Sequence, residues 1–180
     1  MLLAIWASIG HAQIIEQSPT FILENYEHFQ MTAEQDTYIV KLTNWSFTAG
    51  RLVEAYDDLK RTDARIQGDF RRQGYSTGPQ GQGNEIAARR EAQTASLMHQ
   101  LWKALKHPAP FHQTDRCLGE LLLMVDSMAV YADLAVNPPY LQSGWVQAER
   151  WKEQALIRFD QISPRLREEI APLKKPQMEQ

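Results

Sequence analysis

One row of side chains constrains this chain more than anything else in it. Tyr38, Leu42, Trp45, Ala49, Leu52, Tyr56 and Leu59 follow one another at alternating spacings of four and three residues, and Ile66 and Phe70 resume the row after Asp63 interrupts it. A strand needs a period of two. A 4-3 alternation of this length is the signature of a long helix that lays one apolar stripe against neighbours with a slight supercoil. Thr32-Ala33-Glu34-Gln35 reads as a capping box at its start. The spacing predicts a helix over 33–72, about 60 Å long at 1.5 Å per residue. Gly50 lies within it and is the expected place for a bend.

The rest of the chain repeats the theme. Ser18-Pro19 opens a short helical segment over 19–30 that carries Phe21, Ile22, Tyr26 and Phe29. Residues 73–84, QGYSTGPQGQGN, read as a flexible connection. Asn84 is the expected cap of a helix over 85–106 striped by Ala88, Ala92, Ala95, Met98, Trp102 and Leu105. His107-Pro108-Ala109-Pro110 ends that helix. Thr114 or Asp115 is the expected cap of the next, which runs to Val136. That helix gathers Leu121, Val125, Met128 and Ala132 on one face, and Leu123, Val130 and Leu134 on the opposite one. Apolar on both sides, it is expected to be the helix most enclosed by the others. Asn137-Pro138-Pro139 stops it. A last helix spans about 143–162, and Ser163-Pro164 would cap a further short one over 164–171. No segment alternates as a strand. Short connections favour antiparallel neighbours. The expected fold is all-α: an antiparallel up-down bundle of about four main helices, with one long N-terminal helix and short flanking helices.

Domain organisation follows. Residues 1–12, MLLAIWASIGHA, are uncharged and mostly apolar, too short to span a bilayer, and end in the small-x-small pattern Gly10-His11-Ala12. They read as a signal peptide without its basic opening segment, which puts the true start codon in question. Residues 13–172 form one bundle domain, and 173–180 a loose tail. The protein is then expected in the periplasm or secreted, and in the cytoplasm if the apolar segment is not cleaved. No transmembrane segment is expected in the mature chain. The single cysteine, Cys117, sits in an apolar run and reads as a buried thiol.

Composition limits the functions. The net charge is -3, which offers no broad basic field for phosphates, so no nucleic-acid partner is expected. The Gly-rich stretch has no G-K-[ST] and no preceding strand, so it is not a phosphate loop. His28, His99, His107 and His112 form no H-E-x-x-H, and no Glu-x-x-His pair marks a di-iron bundle. His107 and His112 alone would not complete a metal site. No nucleophile elbow is present, and Asn44-Trp45-Ser46 matches a glycosylation sequon inside the buried stripe.

No cofactor or metal is expected, and no catalytic residue is assigned. Asp126 and Asp133, seven residues apart, mark a polar edge of the apolar helix. Asp63 is either a register device or a residue standing in water beyond the bundle. The charged surroundings Asp57, Asp58, Lys60, Arg61, Arg65, Arg71 and Arg72 favour water.

These features predict a non-enzymatic, exported helical structural or interaction protein of the bacterial cell envelope. By analogy alone, it has the layout of an accessory subunit of a secretion or conjugation assembly. A protein partner or self-association is expected, through an exposed patch of Ile66, Phe70 and Tyr75 near the end of the long helix. The alternative is a ligand- or cofactor-binding bundle lined by Trp45, Tyr56, Trp102 and Trp151.

Overall fold

The computed structural model describes residues 29–74, 82–105, 107–138 and 140–174. Four helices account for most of them: α1 (Ala33–Arg72), α2 (Gln82–Ala104), α3 (His112–Val136) and α4 (Ser143–Ile170), followed by a 3₁₀ turn, Ala171–Leu173. The helices pack against one another with no strand among the described residues, so the all-α bundle is observed. Tyr26 and most of the expected 19–30 helix lie outside the described residues. Phe29 and Gln30 do not continue it. Phe29 forms an antiparallel bridge with Lys174, and the Gln30 N–H donates to Leu173 O at 2.7 Å. Leu173 and Lys174 are thus fastened, and the rest of the expected loose tail lies outside the described residues.

The capping box forms as read. Thr32 accepts from the Gln35 N–H while the Gln35 side chain accepts from the Thr32 N–H. From there α1 runs unbroken for 40 residues, through Gly50, so the expected bend is not a break in the helix. Tyr38, Leu42, Ala49, Leu52, Tyr56 and Leu59 are buried as the stripe requires. Trp45 is the exception: it is half-buried, edging Trp102 at a ring separation of 5.4 Å. A second buried row, Ile39, Thr43, Ser46, Gly50 and Val53, runs beside the first. Of the sequon, Asn44 is exposed and Ser46 is buried.

Ion pairs and side-chain contacts set the registers. His99 meets Asp126 and Arg89 meets Asp133 between α2 and α3. Arg158 meets Glu120 between α3 and α4. Lys152 meets Asp57 and Lys60 meets Glu149 between α1 and α4. Between α2 and α3 and between α1 and α4 the numbers rise on one helix as they fall on the other, and the Thr114–Glu169 contact does the same for α3 and α4, so these neighbours are antiparallel. Ser143 lies at the level of about Ile66, and the last two turns of α1 project past the start of α4 by about 9 Å.

Helix ends depart from expectation for physical reasons. Helix α2 begins at Gln82, and Asn84 is inside it rather than capping it. Helix α3 begins at His112 with Phe111 at the N-cap position and no side-chain cap of its own. Its free N–H groups are met instead by Glu169 of α4, which accepts from the Gln113 N–H at 2.7 Å and from the Thr114 N–H at 3.1 Å and hydroxyl at 2.6 Å. A carboxylate at a helix N-terminus is favoured by the orphan donors and the macrodipole together. Helix α4 does not stop at Ser163-Pro164 but passes through Pro164 to Ile170. Proline removes one hydrogen bond there. Burial of Leu166 and Ile170 below it holds the last turns on the core.

Helix α3 touches all three others, as its composition implied. Its main face of Leu121, Val125, Met128 and Ala132 is buried, with Cys117. The second stripe is not enclosed: Leu123 and Val130 are exposed and Leu134 is half-buried. No helix among the described residues is long and apolar enough to cross a membrane.

Candidate functional site

Chemistry-bearing side chains gather in three places. The first lies at the pole where α1 and α3 begin and α2 and α4 end. Phe111, buried, stacks on Tyr38 with ring centroids 4.8 Å apart and planes 9° apart. Tyr38 packs obliquely on Trp102 and edge-on to His107, while the Trp102 and His107 rings are 4.5 Å apart. The Tyr38 hydroxyl donates to Asp115 Oδ1 at 3.5 Å. His107 Nδ1 lies 2.7 Å from the same oxygen, and its Nε2 is 3.2 Å from the Trp102 carbonyl. The Nδ1 contact lacks hydrogen-bond alignment, because that nitrogen is without a hydrogen-bond partner. It is an ion contact whenever the imidazole is charged. Burial pushes both the Tyr38 hydroxyl and the Asp115 carboxyl up from their usual ranges. The Asp115 charge adds to the first effect, and the His107 side chain opposes the second. Beside this group opens a cavity of about 290 Å³, lined by Glu34, Thr37, Tyr38, Lys41, Trp102, Leu105, His107 and Pro108.

The second place is the buried pair at the α2–α3 seam. His99 Nδ1 lies 3.2 Å from Asp126 Oδ2, and the other Asp126 oxygen is buried without a hydrogen-bond partner. Asp126 therefore faces a histidine inside the bundle. Asp133, one of the two expected edge residues, behaves differently. It accepts from Asn137 Nδ2 at 2.7 Å and faces Arg89 at 4.0 Å. Asn137 in turn donates to Glu85 O at 3.0 Å and ties the end of α3 to the start of α2.

The third is an ionic clasp between α1 and α4. The Tyr56 hydroxyl donates to Glu149 Oε2 at 2.9 Å, and Lys60 also donates there. Lys152 donates to Asp57 at 2.6 Å and lies 3.5 Å from the other Glu149 oxygen. Both ammonium groups lie within 6.0 Å of the Tyr56 ring centroid. Burial alone would raise the Glu149 carboxyl; the hydrogen bonds from Lys60 and Tyr56 and the Lys152 charge outweigh it and hold the group below its usual range. Beyond the clasp, Gln67 and the Trp145 indole donate to Asp63. Asp63 is thus half-buried against α4 rather than standing in water, and burial raises its carboxyl. The reason is the reach of α4, whose first turn extends to this level of α1.

The remaining expected sites are dispersed. Ile66 and Phe70 are half-buried, Phe70 has further interactions, and Tyr75 lies outside the described residues. Of the four aromatics expected to line a ligand site, Trp45 and Trp102 meet, but Tyr56 packs against Trp145. Tyr56 is 11 residues along α1 from Trp45, about 16 Å, so the four do not surround one space. His112 does not join His107 in a metal site, and no three His, Cys, Asp or Glu side chains come together for a metal among the described residues. His28 lies outside them. Sequence reading missed Tyr38–Asp115–His107 because its members come from α1, α3 and the intervening loop. Asp115 was read as a helix cap and His107 as one of two loop histidines, and nothing local joined either to Tyr38.

Comparisons with protein-family models, curated proteins and solved structures return no match to this chain.

Proposed function

We propose that this protein works by binding another protein rather than by catalysing a reaction, as a non-enzymatic helical element of the bacterial cell envelope. One observation carries the reading: the finished core leaves several large apolar side chains outside it on the α2–α3 hairpin. Ile86 (71% exposed), Leu97 (56%) and Leu101 lie on the side of α2 opposite its buried stripe, and Leu123 and Val130 lie on the outer side of α3. The His99–Asp126 and Arg89–Asp133 pairs put Leu101 at the level of about Leu123 and Ile86 at the level of about Val136. Five exposed large apolar side chains thus sit on the outer faces of this one hairpin, beside others such as Val40 and Phe47 on α1 and Val146 and Ile157 on α4. Singly exposed apolar residues need no explanation, whereas several gathered on the outer faces of one hairpin are what interaction surfaces look like.

The titratable clusters support the same reading, since the clasp and the His99–Asp126 pair are spent on joining helices. The apolar segment before Gln13 supports export, which mass spectrometry of the mature N-terminus in native material tests. An intact Met1 there would refute it.

The binding role is tested with Leu97→Lys/Leu123→Lys, both at exposed positions. Cross-linking in the native host should give a defined species with the parent chain and lose it with the variant, at an unchanged unfolding midpoint. A cross-linked species indifferent to the substitutions, or no species at all, would overturn the assignment.

A further inference from the structure

The cavity at the pole of the bundle carries an inference that is independent of the interaction reading. We infer that it is a binding site for a small aromatic carboxylate, one ring with a single anionic group. Three observations point there. The floor of the cavity is the packed group of Tyr38, Trp102 and His107, and Leu105 and Pro108 complete an apolar wall. Rings prefer offset and edge contacts with one another, and a preformed aromatic floor offers them without rearrangement.

Apart from His107 Nδ1, which has no hydrogen-bond partner, the polar groups of that floor are already engaged. Tyr38 donates to Asp115, and each His107 ring nitrogen faces an oxygen, of Asp115 or of Trp102. They hold the floor in place and leave little for a polar ligand to bind. The rim is different. Lys41 is exposed and has no ion-pair partner among the described residues. It is therefore free to meet an anion at the mouth.

Size and polarity narrow the choice. A volume of about 290 Å³ is at the low end for small-molecule sites. Tyr38 and Trp102 are only 4% and 3% exposed, so a ligand touches their edges rather than intercalating. One ring fits this description better than a fused system. Glu34 also lines the cavity, seven residues from Lys41 and about 10 Å away along α1. The anionic end of the ligand thus belongs at the Lys41 end and its ring toward Leu105 and Pro108. Glu34 weakens the site modestly as it stands.

The probe is benzoate, with benzamide as its uncharged counterpart, and the readout is the indole N–H resonances of the tryptophans in nitrogen-labelled full-length protein. Five tryptophans supply one reporter at the cavity floor and others remote from it. Benzoate should shift the Trp102 resonance saturably while the Trp145 and Trp151 resonances stay still, and should bind at least fivefold more tightly than benzamide. Lys41→Met, an exposed change, should remove that preference, and Glu34→Gln should tighten benzoate about twofold. Thr37→Trp, which fills the mouth from an exposed position, should abolish the shift with the fold intact. Equal affinity for benzamide, shifts spread over all the indoles, no saturable shift, or binding that survives Thr37→Trp would each overturn the assignment.

Discussion

At Gly144 the backbones of α3 and α4 approach closely, and replacing it with alanine measures how much the bundle depends on that approach. A Cβ at position 144 would stand 2.6 Å from the Tyr131 carbonyl oxygen, 2.9 Å from Ala135 Cβ and 3.1 Å from Ala135 N. Two of these atoms are helical backbone, so no rotamer change can clear them. The start of α4 must retreat by about 0.8 Å to restore an ordinary contact, loosening Ala135 and Ala148, which the approach keeps buried. Overpacking of this kind costs about 1–3 kcal/mol. The intrinsic preference of a helix for alanine over glycine returns up to about 1 kcal/mol. The expected result is a net loss of about 1–2 kcal/mol. Gly68→Ala is the matched control: a Cβ there meets nothing within 4 Å, so only the propensity term remains and a gain of about 0.5–1 kcal/mol is expected. Urea unfolding followed by far-ultraviolet circular dichroism reads both signs. If Gly144→Ala is as stable as the parent chain, or Gly68→Ala is equally destabilising, the close approach does not govern this seam.

Three further outcomes are expected. Trp45→Ala should cost about 2 kcal/mol in the same unfolding assay, below the roughly 3–5 kcal/mol usual for a fully buried large aromatic, because part of its surface is already in water. A loss above about 3 kcal/mol would contradict its placement. Glu169→Ala should cost about 1–2 kcal/mol, the usual worth of a helix cap. Amide exchange should quicken first at Gln113 and Thr114, and unaltered exchange there would rule out the long-range cap. Glu149 has its folded-state carboxyl held below its usual value of 4.5. Its contribution is therefore present above that value and lost as pH falls through the folded one. Glu149→Gln should flatten the acid limb of the stability profile below pH 4.5, and an unchanged limb would show that the clasp does not titrate as a unit.

The residues explain which parts of the fold could be read ahead of the structure. Positions whose environment comes from their own helix were legible. The Thr32–Gln35 box depends on four consecutive residues, and the Tyr38-to-Leu59 stripe depends on period alone. Positions whose partner lies on another helix were not. Nothing near Phe111 announces that α3 takes its cap from Glu169, 58 residues further on. Nothing near Asp63 announces Trp145, and Pro164 looks like a stop until the burial of Leu166 and Ile170 is known. The outer apolar row on α3 was read correctly as apolar, but pattern alone cannot say whether a second stripe faces a neighbour or water. The cavity was invisible for the same reason. Trp102 was read as core, which it is, while the mouth above it exists only because α1, α2 and the following loop converge there.

The bridge between Phe29 and Lys174 fastens the strand of chain entering the bundle to the strand leaving it. The molecule is in effect a closed ring of helices with a clip, and both flanking stretches depart from one pole. Anything that holds the protein by either flank holds it from that side and turns the projecting turns of α1 away from the anchor. Tension applied to both flanks at once would load the clip first. It would then peel α1 and α4 apart at the Glu169 pole, and the ionic clasp farther along would feel the load before the α3 core did.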